Sequence, residues 1–176
     1  MRVVVTGSSG LIGRSLCSLL AGNGHAVVRV VRQPVRPGDQ TVHWDPDAGT
    51  IDASGIEGSD AVVHLAGAGI GDSRWSEARK RVLVESRSRS TALLAEALAN
   101  LDRRPRVLVS ASAIGYYGDR GDEILTEQSA PGADFLASLC VRWEAEVAPA
   151  AEAGIRVVCA RTGLVLSRDG GALPKL

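Results

Sequence analysis

The stretch Val3-Val4-Val5-Thr6-Gly7-Ser8-Ser9-Gly10-Leu11-Ile12-Gly13 decides how the rest of the chain is read. Three consecutive valines make a buried strand, and Gly7 bounds it. From Leu11 onward the apolar positions Leu11, Ile12, Leu16, Leu19 and Leu20 recur with the period of a helix lying on a sheet. Gly22-Asn23-Gly24 then supplies a helix stop. The three loop glycines have separate jobs. Gly7 allows a tight turn, Gly10 removes the Cβ that would block a pyrophosphate, and Gly13 lets helix and strand pack closely. A diphosphate would rest on unpaired N–H groups at the positive end of the helix. Three glycines alone are a weak signal; between a valine strand and an amphipathic helix they are a strong one. The expected binding loop is Gly7, Ser9, Gly10, Leu11, Ile12 and Gly13.

Working outward, short β-branched runs alternate with helical stretches. Strands are expected at Val27–Val31, Gln40–Trp44, Ala61–Leu65, Val107–Val109 and Arg156–Cys159. A long helix is expected from about Trp75 to Leu98, and another through Phe135, Leu136, Leu139, Cys140, Trp143 and Val147. Continuous rather than alternating apolar strands imply a sheet covered on both faces. With βαβ spacing, that means an α/β, Rossmann-type doubly wound parallel sheet. Residues 1–166 are expected to form the dinucleotide-binding domain, and residues 167–176 to begin a further substrate region, as in a piece of a longer chain.

The end of the second strand selects the dinucleotide. An acid there would bind the ribose hydroxyls of NAD, but the chain reads Val30-Val31-Arg32-Gln33, with no carboxylate before Asp39. An arginine at that place can pair bidentately with a 2′-phosphate. Val31 and Arg32 therefore join the expected site and NADP(H) is the expected cofactor; the other reading of Arg32 is a solvated loop charge. Asp45, after the third strand, could meet an adenine amine or simply form the turn before Pro46.

Composition narrows the classes. The chain of 176 residues carries 20 basic and 20 acidic residues, so it lacks the charge footprint of a general nucleic-acid binder. Six aromatic residues (Trp 3, Tyr 2, Phe 1) are too few for a base-stacking platform. With 45% hydrophobic and 23% charged residues it is not a disordered chain. Cys17, Cys140 and Cys159 are odd in number, far apart and without paired spacing, which fits reduced thiols and argues against a zinc site. No apolar run is long enough for a membrane span, and the start has no signal-peptide pattern. A cytoplasmic location is the expectation.

A further run of motifs follows in order. It comprises Asp60-Ala61-Val62-Val63-His64-Leu65-Ala66-Gly67, Arg74-Trp75, Ser86-Arg87 with Thr91, Ser112-Ala113-Ile114-Gly115-Tyr116-Tyr117-Gly118, Thr126-Glu127, Asp134-Phe135, Trp143-Glu144, and Arg161-Thr162-Gly163-Leu164-Val165-Leu166 leading to Gly170-Gly171-Ala172-Leu173. With the glycine loop, this run resembles the extended short-chain dehydrogenase/reductases, and within them an atypical epimerase-like branch. The resemblance covers essentially the whole chain. It implies that Leu65, Ala66 and Gly67 lie against the cofactor, that Arg87 reaches it, and that Val165 sits near the nicotinamide. Read from the residues alone, Leu65 and Ala66 could equally be core, Arg87 a surface helix charge, and His64 a structural strand residue.

The same resemblance exposes a departure. A short-chain reductase normally uses a serine, a tyrosine and a lysine four residues beyond that tyrosine. Ser112 stands at the end of the fifth expected strand, where that serine belongs. The following helix reads Phe135-Leu136-Ala137-Ser138-Leu139, with neither phenol nor ammonium, and the two lysines, Lys80 and Lys175, lie elsewhere. Losing a positioned general acid costs ~10²–10⁴ in rate. The candidate catalytic set is therefore Ser112 with Tyr116 and Tyr117, although the tyrosines could simply pack over the cofactor. Two functions stay open: an NADP(H)-dependent oxidoreductase or epimerase-like protein acting on a small hydroxyl or carbonyl substrate, nucleotide-linked sugars included, or a non-catalytic NADP(H)-binding sensor or scaffold. The long helix and the Phe135 helix are surfaces that could pair two subunits.

Overall fold

A computed structural model of the chain describes residues 1–36, 38–171 and 173. The elements run β1 (Arg2–Thr6), α1 (Leu11–Gly22), β2 (Ala26–Val31), β3 (Thr41–Asp45), β4 (Thr50–Ile51), β5 (Ala61–His64), α2 (Glu77–Ala99), β6 (Val107–Ala113), α3 (Phe135–Ala145), α4 (Ala148–Glu152), β7 (Arg156–Thr162), β8 (Leu166–Ser167) and β9 (Gly170–Gly171). The main sheet has the order β4-β3-β2-β1-β5-β6-β7. All its pairings are parallel except β3 with β4. This is the Rossmann-type, doubly wound architecture expected. The strand order reverses at β1, between β2 on one side and β5 on the other. In such sheets the crevice beyond the carboxyl ends at that reversal is where ligands bind.

Helix α2 starts where its sequence dictates, two residues later than expected: Ser76 is the N-cap, its hydroxyl accepting from the Arg79 amide. The main core joins Val4, Val28, Val30, Val42, Trp44, Val62 and Leu108 from the strands to Leu94, Ala95 and Leu98 of α2 and Ala150 of α4. On the opposite face, Val3 and Val5 pack with Cys17 of α1. A third cluster, Leu83, Leu139, Cys140 and Trp143, bolts α3 to α2.

Four features differ from the sequence expectation. Strand β4 and the β8–β9 hairpin are two-residue pairings without readable periodicity. Strand β6 runs on to Ala113 because β7 pairs with it as far as Thr162. The expected Phe135–Val147 helix is α3 followed by α4, whose Pro149 lies in the first turn where no donor is missed. The residues of the expected C-terminal region at 172 and 174–176 lie outside those described.

Candidate functional site

A crevice of about 610 Å³ opens at the β1/β5 reversal. Its lining includes Gly7, Ser9, Gly10, Val31, Arg32, Leu65, Ala66 and Gly67, so eight of the expected cofactor residues converge there. The loop geometry explains why glycines occupy it. Gly7 has φ +64°, and a Cβ there would lie 2.7 Å from the Leu65 carbonyl carbon. At Gly13 a Cβ would lie 2.2 Å from the Gly7 oxygen, so only glycine lets α1 sit this close to the turn. Gly10 is different: its single close neighbour is the Gly7 oxygen at 3.3 Å, and the rest of that space is open. Gly10 is also the N-cap of α1, without a side-chain cap, and the first turn holds no acidic residue. Among the described residues no backbone acceptor takes the amides of Leu11, Ile12 and Gly13, beside the positive end of the helix dipole. That cradle fits a diphosphate.

The other expected residues flank the crevice. The Ile12 side chain is exposed and Leu11 packs toward the hairpin, its Cδ2 2.9 Å from where a Gly171 Cβ would be. Val165 belongs to the same flap, its carbonyl beside Gly171. Arg87 sits behind the wall. Its guanidinium donates to the Leu83 and Ala68 carbonyls at 3.0 and 3.1 Å and lies 5.1 Å over the Trp143 ring. Burial pushes the Arg87 guanidinium below its ordinary pKa, the cost of this bracing position. Trp44, Asp47, Val82, Glu85 and Ser86 also line the crevice and were not expected from the sequence. Asp45 forms the turn: its carboxylate accepts the Asp47 and Ala48 amides.

The floor is held by a buried chain of hydrogen bonds. Thr6 Oγ1 accepts from the Leu65 and Ala66 amides at 3.1 and 3.3 Å and contacts His64 Nδ1 at 2.7 Å. His64 Nε2 meets Thr91 Oγ1 at 2.9 Å, and Trp143 Nε1 donates to that same oxygen at 2.9 Å. With two amides donating to Thr6, its hydroxyl proton goes to His64 Nδ1, which must be an acceptor. His64 is then neutral, with the proton on Nε2 donated to Thr91. Full burial is consistent with this, lowering its pKa from 6.5 to about 4. Its role is structural.

The candidate catalytic residues form a second cluster at the β6 and β7 ends. Ser112 is 4% exposed, and its hydroxyl donates to Glu144 Oε1 at 2.5 Å. Glu144 is also gripped by Arg161, whose Nε and Nη2 each donate at 2.8 Å. Burial would raise the Glu144 carboxyl, but the bonds from Arg161 and Ser112 outweigh it and hold the carboxyl below its usual value. The hydrogen bond to Glu144 raises the Arg161 guanidinium above its ordinary value. Arg161 also stacks 3.4 Å over the Tyr116 ring and donates to the Tyr117 hydroxyl at 3.0 Å. The two tyrosine rings meet edge to face at 5.2 Å. The Glu127 carbonyl accepts from Arg161. The sequence missed Glu144 and Arg161 as the organisers of this cluster; the juxtaposition of Ser112 with the Trp-Glu motif was the available signal.

Helix α3 buries Leu139, Cys140 and Trp143 with Leu83 of α2, and Phe135 together with Ala111 and Ala113 of β6 packs against them, the stripe expected for Phe135, while Glu144 reaches Ser112. Leu136 Cβ stands 3.2 Å from where a Gly115 Cβ would be. Phe135 packs edge-on to Trp75, with ring centroids 5.7 Å apart. On either face the helix offers no phenol and no ammonium to Ser112. Among the described residues no group of His, Cys, Asp and Glu is arranged to hold a metal ion, and no helix is long and apolar enough to cross a membrane.

A parallel reversal-point crevice with a glycine-lined anion cradle defines a dinucleotide-binding Rossmann class, and the comparisons place the chain within it. Residues 3–173 match the NAD dependent epimerase/dehydratase family, and the chain belongs to that family. An epimerase family protein of Mycobacterium bovis is 43% identical over 174 residues, which is 99% of this chain and 57% of the relative. A crystal structure described as the nucleoside-diphosphate sugar epimerase from Corynebacterium glutamicum superposes with a TM-score of 0.86 at 43% identity, covering 99% of this chain and 36% of that one. Human epimerase family protein SDR39U1, solved with NADPH, gives a TM-score of 0.85 at 33% identity, covering 99% of this chain and 58% of that one. The chain thus spans little more than half the length of the curated relatives it matches.

Proposed function

We propose that this chain is the NADP(H)-binding domain of an oxidoreductase or epimerase-like protein acting on a small hydroxyl or carbonyl compound. A nucleotide sugar is the substrate class suggested by the name of the corynebacterial relative. The observation that carries the cofactor reading is the uncapped start of α1 behind Gly10, open where the other loop glycines are closed. In this reading Gly7, Ser9 and Gly10, with the amides of Leu11, Ile12 and Gly13, take the diphosphate. Val31, Leu65, Ala66 and Gly67 wall the ribose, and Arg32 takes a 2′-phosphate. Arg87 braces that wall from behind, and Val165 closes the nicotinamide end. NADPH in the human relative's structure supports the choice of phosphorylated cofactor. When bound, the nicotinamide would supply hydride donation or acceptance.

Proton handling falls to Tyr117. Because Arg161 donates to its oxygen, the phenol's own proton points elsewhere and is available to a substrate oxygen. Ser112 acts through the strand end: spent on Glu144, it anchors the loop that carries Tyr116 and Tyr117. A second reading, a non-catalytic NADP(H) sensor or scaffold, is favoured by that same commitment of Ser112 and by the apolar face of α3. The test uses the full-length protein. NADPH fluorescence titration comes first, then NADPH consumption across a panel of carbonyl compounds and nucleotide sugars. Binding with turnover that Tyr117→Phe lowers by ~10²-fold or more supports the enzyme. Tight binding without turnover on any substrate selects the sensor, and no binding of either pyridine coenzyme ends both readings.

A further inference from the structure

The rim of the crevice carries a charge pair for which the cofactor reading has no use. Arg32, the residue assigned to a 2′-phosphate, has Nη1 3.9 Å from Asp47 Oδ2, and both residues line the crevice. Asp47 is brought there by a local device. The Asp45 carboxylate accepts the Asp47 and Ala48 amides at 2.9 and 3.1 Å, Gly49 closes the turn at φ +68°, and Asp45 pairs with Thr50 across the β3–β4 hairpin. Strand β4, too short to be read from sequence, thus sets where this carboxylate stands.

We infer that Asp47 is a specificity-determining residue: its carboxylate competes with a 2′-phosphate for Arg32 and keeps the crevice open to the unphosphorylated dinucleotide. The inference rests on the cofactor reading above. A phosphate arriving at Arg32 meets a negative charge already in place. The existing pair is easily exchanged, being long and with side chains 57% and 74% exposed. An NAD(H) ribose instead presents hydroxyls, which a carboxylate accepts; this is the task an acid at the end of β2 performs in NAD-specific folds, here moved to the neighbouring hairpin. Arg32 and Asp47 pull in opposite directions, and the ratio of affinities for NADPH and NADH reports their balance.

The size follows from Coulomb's law. One unit charge about 4 Å from another in water changes binding roughly fivefold, and a phosphate carries more than one charge while salt screens the pair. Asp47→Asn is therefore expected to tighten NADPH by about three- to tenfold at low ionic strength, with a smaller gain at high salt. NADH should be unchanged or weakened. The turn survives the substitution, because Asp47 contributes its amide to the bonds that hold it and Asp45 the carboxylate.

The experiment titrates parent, Asp47→Asn and Arg32→Ala with NADPH and NADH by fluorescence, and with adenosine 2′,5′-bisphosphate and AMP by calorimetry. The bisphosphate probes the rim without the nicotinamide half. A rise in the NADPH-to-NADH affinity ratio in Asp47→Asn, matched by the bisphosphate and reversed in Arg32→Ala, supports the inference. A parent that binds NADPH but whose ratio stays within twofold in Asp47→Asn overturns the role of Asp47 and leaves the cofactor reading standing. Folded parent protein that binds none of the four ligands overturns both.

Discussion

Replacing Gly13 and Gly10 by alanine, one at a time, separates packing from binding within a single loop. At Gly13 the added Cβ would stand 2.2 Å from the Gly7 oxygen and 2.8 Å from the Ser8 Cα, both backbone atoms that cannot rotate away. Overpacking of this kind costs about 1–3 kcal/mol, and the rigid turn here puts Gly13→Ala at the upper end. A chain of 176 residues loses about 2–4 °C of Tm per kcal/mol, so the expected fall is roughly 5–10 °C. At Gly10 the Cβ meets only the Gly7 oxygen, at 3.3 Å, and occupies the space above the uncapped amides. Gly10→Ala should lower stability by less than about 1 kcal/mol, in line with an N-cap change. It should nevertheless weaken NADPH by at least about tenfold, by blocking the diphosphate. Thermal denaturation and fluorescence titration on the same preparations read both effects. Parent-like NADPH affinity in Gly10→Ala would refute the anion-cradle argument, and a Gly13→Ala protein as stable as the parent would refute the packing argument.

Two further variants probe the buried clusters. His64 has its pKa lowered from 6.5 to about 4, so between these values the unfolded chain takes up a proton that the native one refuses. Stability should then fall as pH falls through that window, by about 3 kcal/mol in total at ~1.4 kcal/mol per unit. Urea denaturation from pH 4 to 7 should show a shallower slope in His64→Gln, and equal slopes would remove His64 as the cause. Glu144→Gln leaves Arg161 half-paired where the two side chains are only 17% and 15% exposed. It should cost about 1–3 kcal/mol near neutral pH, read as a lower urea midpoint. Because the Glu144 carboxyl is held below its ordinary 4.5, the stability it contributes is present above that pH and is lost as pH falls below it; a cost that persists undiminished in acid would count against the pairing.

The crevice was legible in the sequence because backbone geometry dictates it. Gly7, Gly10 and Gly13 are demanded by close approach at fixed spacing, and a valine run before them places the loop at a strand's end. Arg32 was legible for the same reason, standing at the end of β2. The second cluster was not, because its bonds join residues far apart in the chain: Ser112 and Glu144 are 32 positions apart, and Tyr117 and Arg161 are 44. The stripe of α3 was legible: Leu139 and Trp143 are buried in the cluster that Phe135 packs against, as the i, i+4 row Phe135-Leu139-Trp143 implies. Strand β6, by contrast, was cut short. Ser110-Ala111-Ser112-Ala113 has little intrinsic strand preference and is extended by pairing with β7.

Consecutive residues of α3 tie into the crevice floor and into the tyrosine cluster. Trp143 donates to Thr91, and through Thr91, His64 and Thr6 its position is tied to the Leu65 and Ala66 amides at the crevice floor. Glu144, one residue on, holds Ser112 and Arg161, and through them the tyrosine loop. A shift of α3 by a fraction of a turn would disturb the crevice floor and the tyrosine loop together, since Trp143 and Glu144 tie each of them to the helix by hydrogen bonds. Helix α3, which offers Ser112 neither phenol nor ammonium, thus sets the distance between the two clusters. That tie also explains why Arg87 lies over the Trp143 ring, bracing the Ala68 carbonyl from the same point of the helix that anchors the floor.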